Sequence, residues 1–190
     1  MQAAQPVTLS APSTQRPLTD DFDRKTFSRL GALGMVMGLA IPAASYYLLA
    51  GAVPATEDLA ARLALGLRWM IFPVLALVLG FMAAGSARFS SSFADGSEPP
   101  SGSALNMHRR YLQNTLEQFT YFFITQMALV TVIPATALHL VPVFCVQFLV
   151  GRLLFWRGYL QKPSYRSLGL TMNHVNLLVL IYVVYRVVAG

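Results

Sequence analysis

The chain has 190 residues, 55% apolar and 12% charged, with a formal net charge of +6. A soluble domain carries about 25% charged residues, and a disordered chain needs low hydrophobicity with high charge. Neither description fits. The mean hydropathy of +0.54 and the gathering of apolar residues into blocks of about 20 describe an all-α polytopic membrane helix bundle of five spans.

Residues 1–29 are polar, rich in Ser, Thr, Pro and Gln, and lack apolar periodicity, which predicts a disordered cytoplasmic tail. The first span is Leu30–Val53 and ends at Pro54. Ala50-Gly51-Ala52 imitates a signal-peptidase site. The block is longer than the roughly 7–15 residues of a signal h-region, so it reads as a retained span. Its Gly34-x-x-x-Gly38 permits close helix contact. The second span is Leu63–Ala84. A Gly/Ser/Pro-rich loop at 96–102 leads to the third, which starts near Leu105, is polar for its first turns, and continues to Ile133. Pro134 turns the chain into a fourth span, Ala135 to about Tyr159, and Pro163 precedes the fifth, Leu168–Val188.

Five spans place the N-terminus, the 85–110 loop and the 157–167 loop on one side. That side and its span ends hold Arg16, Arg24, Lys25, Arg29, Arg88, Arg109, Arg110, Arg152, Arg157, Lys162 and Arg166, eleven of the fourteen Lys and Arg. The positive-inside rule makes it cytoplasmic. The basic residues flank apolar blocks and form no dense patch, so topology accounts for them and nucleic acid is not an expected partner. Arg68 and Arg186 are expected to snorkel to the interfaces. The lone cysteine, Cys145, sits in an apolar block and reads as a core residue. His108, His139 and His174 have no metal-ligand spacing, so no metal is expected, and Asn173 and Asn176 read as polar contacts between helices.

The opening of the third span carries the chemistry. Arg110, Asn114 and Glu117 are spaced i, i+4, i+7 and share one helix face, with Gln113 just off it. A carboxylate inside a membrane helix is costly unless paired, and the partners available are Arg110 and Arg152. Two readings stand. One is a polar site between helices, open to the cytoplasm, in which arginines hold carboxylates and Glu117 accepts from an ammonium. The other is an Arg–Glu–Asn network that locks the helices together. No phosphate loop or serine-hydrolase motif is present.

Arg110-x-x-x-Asn114-x-x-Glu117 resembles the signature of the MAPEG family, membrane-associated proteins of eicosanoid and glutathione metabolism. Arg152-x6-Tyr159 and Arg166-Ser167 resemble two further family stretches in the same order. The resemblance covers residues 62–190, making 30–53 an extra N-terminal helix on a four-helix domain, a layout similar to the mattrin-like branch.

The resemblance implies a homotrimer in the lipid bilayer, with glutathione as co-substrate held between subunits and a lipophilic small molecule as its reaction partner. Asn114, Glu117, Tyr159, Arg166 and Ser167 match glutathione contacts, and Arg110, Arg152 and Gln113 would structure the site. The implied activity is that of a glutathione transferase or peroxidase. Leu112-Gln113 replaces a His-Arg of many catalytic members, Leu170 a Tyr, and Phe155 a His. Losing a cation and a phenol weakens thiol activation, so a non-enzymatic protein of the same scaffold, in assembly or regulation, is the alternative. The Ala-, Arg- and Leu-rich usage points to a bacterial inner membrane.

Overall fold

The structure, a computed structural model, describes residues 22–190. Residues 1–21, most of the expected tail, lie outside the described residues. Seven α-helices follow: α1 Arg24–Leu48, α2 Leu59–Trp69, α3 Ile71–Phe89, α4 Ala104–Val132, α5 Leu140–Gln161, α6 Ser167–Met172 and α7 Val175–Ala189. No strand occurs among the described residues. Four helical runs are long and apolar enough to cross a membrane: Arg24–Leu48, Leu59–Phe89, Ala135–Gln161 and Pro163–Ala189. α4 has the length, at 29 residues, but is polar in its first turns.

α1 begins at Arg24 rather than at the first apolar residue, Leu30. Asp23 is the reason: its carboxylate accepts from the amides of Lys25 and Thr26 and stops the helix's free N–H groups going unpaired. The Asp23 amide in turn donates to Ser164 Oγ at 2.8 Å, tying the start of α1 to the turn before α6.

The second span is one run with a kink. α2 and α3 abut at Met70, and Pro73 in the first turn of α3 has no N–H to donate back. The fifth span breaks at Asn173–His174. There i→i+3 bonds replace helical ones, from His174 to Thr171 and from Asn176 to Asn173. Asn173 turns its amide to the Phe148 carbonyl at 3.2 Å, and Gln126 donates to Asn176 Oδ1 at 3.2 Å. These two asparagines do join helices, as expected.

α5 is the most buried of the long helices and packs against α1, α2, α3, α4 and α6. Cys145 is fully buried on it. α1 lies at the edge and docks mainly on α6. Gly34 and Gly38 face the α6 backbone so closely that a Cβ at Gly38 would lie 2.5 Å from the Met172 carbonyl oxygen. The close approach expected of this pair is realised. Arg68 and Arg186 are exposed, the latter donating to Tyr182 Oη at 2.9 Å.

Candidate functional site

α3, α4 and α5 meet around Tyr111. Its hydroxyl donates to the Ala76 carbonyl at 3.0 Å, and its ring stacks on Trp156 with centroids 4.6 Å apart. Gly80 makes room, since a Cβ there would lie 2.6 Å from the Tyr111 ring. Trp156 Nε1 donates to His108 Nδ1 at 3.1 Å. These aromatic contacts fix α4 against α5 in one register.

Arg152 enters this interface from α5 and is fully buried. Its Nε and Nη2 both donate to Thr115 Oγ1, at 3.1 and 2.9 Å, and Nη2 also donates to Asn114 Oδ1 at 2.9 Å. The guanidinium lies 4.3 Å above the Phe155 ring. Phe155, where many catalytic members of the resembled family have His, therefore serves as the platform for this cation. Thr115 is the residue that sequence reasoning misses. Its neighbour Asn114 carries the motif, and a lone threonine inside a helix gives no signal of its own.

The expected pairing of Glu117 with Arg110 or Arg152 does not form. Glu117 accepts from Gln113 Nε2 at 2.9 Å, and no ion pair of Glu117 occurs among the described residues. The geometry of a helix explains this. Residues seven apart are about 10 Å apart along the axis, whereas residues four apart are neighbours. Arg152 faces the buried side of α4, where Thr115 lies, while Glu117 and Gln113 point outward and are exposed.

The remaining expected residues fall into two places. Arg110 and Tyr159 line a cavity of about 280 Å³, with Asn106, Gln161 and Pro163. The Arg166 guanidinium sits 5.4 Å from the centre of the Tyr159 ring, linking it to this cavity. Ser167 is elsewhere: it is fully buried and donates to the Ser164 carbonyl at 3.1 Å. The structure thus joins Arg152 with Asn114, Gln113 with Glu117, and Arg110 with Tyr159 and Arg166.

Arg62 stands in the first turn of α2, beside the end of α4. It is buried and donates Nε to the Val130 carbonyl at 2.7 Å and Nη2 to the Ile133 carbonyl. It therefore satisfies the C-terminal carbonyls of α4, and it pairs with Glu57 at 3.1 Å.

The MAPEG family model matches residues 59–186, from α2 into α7, and leaves α1 outside. Transmembrane protein 79 (mattrin) of Mus musculus is 26% identical over 129 residues, 67% of this chain and 32% of that protein. Transmembrane protein 79 of Bos taurus is 27% identical over 126 residues, 66% and 31% respectively. The match thus spans about a third of each relative's length. Both are mammalian transmembrane proteins, which gives the expected bacterial inner membrane no support. No solved structure matches the chain.

Proposed function

The chain belongs to the MAPEG family, and on that premise we propose that it is a glutathione-dependent transferase or peroxidase for lipophilic electrophiles. Glutathione is held between copies of the chain, at the membrane face where α4 begins. One observation carries this reading. Glu117 and Gln113, hydrogen-bonded to each other, are exposed on the outer side of α4. Hydrocarbon cannot pair such groups, and leaving them against lipid is costly. A second copy of α4 covers them, and the homotrimer implied by the family resemblance provides it.

Asn114 gives the site its polarity. Its amide oxygen is bound by Arg152, so the amide NH₂ remains as a donor for a carboxylate. Glu117 is an acceptor for an ammonium. The γ-glutamyl end of glutathione carries both groups. Arg110 and Arg166, beside Tyr159, supply cations for a second carboxylate and favour the thiolate over the thiol. The thiolate sulfur then bonds to the electrophilic carbon of a substrate arriving from the lipid, and the leaving group departs with the electron pair.

The test is a glutathione titration of detergent-purified protein, followed by thiolate absorbance, on wild type and Glu117→Gln. Binding with thiolate formation is expected in the wild type. Loss of both is expected in the variant, with oligomer size unchanged by native mass spectrometry. Undiminished binding by a folded variant overturns the site.

A second reading, a non-enzymatic scaffold protein in assembly or regulation, draws on Ser167. Its hydroxyl is buried and already donates to Ser164, so one of the expected ligand contacts is occupied by the fold. Absence of glutathione binding by the wild type would favour this reading.

A further inference from the structure

α1 lies outside the stretch matched by the family. Where its first turns pass α5 and the Pro163–Arg166 turn, they enclose a cavity of about 440 Å³, within the roughly 300–1,000 Å³ range of ligand pockets. Three segments wall it, and each grades the same way with depth. α1 starts at this membrane face, so Thr26 is shallow and Leu30 lies one turn deeper. α5 ends at this face, so Gln161 is shallowest, Arg157 is a turn below it, and Leu154 is deeper. Tyr165 precedes Leu168 in the same sense. The shallow ring is polar and cationic, and the deep ring is leucine throughout.

The cation is available. Arg157 is exposed and makes no hydrogen bond or ion pair among the described residues. No carboxylate lines the cavity. The carboxylate of Asp23, near Thr26, is engaged by the Lys25 and Thr26 amides and the Thr26 hydroxyl, and is drawn toward Lys162. A cavity that is cationic at the membrane surface and apolar below matches one kind of molecule, an acidic lipid at the edge of the hydrocarbon.

We propose that this cleft binds an anionic membrane glycerophospholipid. Its headgroup carboxylate accepts from Arg157, its phosphate accepts from Gln161 and the Tyr165 hydroxyl, and one acyl chain lies against Leu30, Leu154 and Leu168. The lipid bridges the extra helix α1 to the four-helix domain, a role separate from the proposed glutathione site on α4.

The test uses the full chain in neutral detergent, with native mass spectrometry to count retained lipid. The probes are dioleoyl phosphatidylserine, dioleoyl phosphatidylcholine and inorganic phosphate. Wild type is expected to retain phosphatidylserine about tenfold more tightly than phosphatidylcholine, as one charge-assisted contact allows. Arg157→Gln should abolish that preference, and Arg157→Lys should keep part of it. Arg157 has no structural partner, so both variants should fold, which their unfolding midpoints without lipid check. Three results overturn the proposal. They are no preference in the wild type, a wild-type preference in Arg157→Gln, and displacement of phosphatidylserine by equimolar inorganic phosphate, which would assign the site to a soluble anion.

Discussion

Arg152 Nη2 donates to Asn114 Oδ1 at 2.9 Å, from a guanidinium that is wholly buried between α4 and α5. This contact divides the motif. The arginine belongs to the structural network, because its charge is held inside the bundle by Asn114, Thr115 and the Phe155 ring. Glu117 belongs to the outward face. The motif is one spacing in sequence and two environments in space.

Thr115 is expected to matter as much as the motif residues. Its hydroxyl accepts from both Nε and Nη2 of Arg152. Thr115→Val keeps the shape and removes the acceptor, leaving a buried cation with less to bind. A hydrogen bond to a charged group is worth about 1.5–3 kcal/mol, and a loss of that size is expected in denaturant unfolding. Thr115→Ser should stay close to wild type. An unchanged midpoint for Thr115→Val would show that Thr115 does not hold Arg152.

Arg62 and Glu57 form an ion pair whose two members are predicted to behave very differently. Arg62→Met orphans the buried Val130 and Ile133 carbonyls, at about 1–3 kcal/mol for each unsatisfied group. The last turn of α4 should then exchange its amide protons faster. Glu57 is 83% exposed in the pair, and exposed pairs contribute about 0–1 kcal/mol. Glu57→Gln should therefore unfold within about 1 kcal/mol of wild type. Equal losses in the two variants would mean that the ion pair, and not the carbonyl caps, is what Arg62 provides.

Length and apolar runs made the helices legible, because crossing hydrocarbon demands about 20 apolar residues whatever the fold. Caps and breaks were partly legible. Pro134 and Pro163 mark turns that the structure has, whereas Asp23 carries α1 back past its apolar stretch to Arg24. What escaped was anything fixed by a distant partner. Arg62 is buried by carbonyls 68 and 71 positions away, and no local pattern encodes that. The outward direction of Glu117 escaped for a related reason. A helical wheel shows which residues share a face, but not which face the neighbours cover.

The glycines of α1 give a graded test of its docking. A Cβ at Gly34 would run into the Leu168 carbonyl and the Thr171 hydroxyl, and backbone cannot move aside cheaply. At Gly31 the nearest atom, Thr171 Cγ2, is 3.5 Å away, an ordinary contact. Gly34→Ala should weaken the α1–α6 contact by about 1–3 kcal/mol, the usual cost of overpacking. Gly31→Ala should be tolerated. Amide exchange along α1 and α6 reads the difference directly. Equal exchange in the two variants would show that the close approach at Gly34 is not what holds α1.

The start of α1 should respond to acid. The Asp23 carboxyl titrates below its usual 3.8, first because the Thr26 hydroxyl donates to it, then because the Thr26 and Lys25 amides do. A depressed folded value means that the cap contributes fully above the unfolded value and is lost as pH falls through the folded one. Between pH 5 and 8 the carboxylate is ionised in both states, so the protection of the Lys25 and Thr26 amides, corrected for intrinsic exchange, should be flat. Below about pH 4 it should fall. Asp23→Asn keeps a good cap without the charge and should flatten the profile at low pH, while Asp23→Ala should expose these amides at every pH. Protection that stays constant down to pH 2 in the wild type would show that the ionised carboxylate is not what starts the helix.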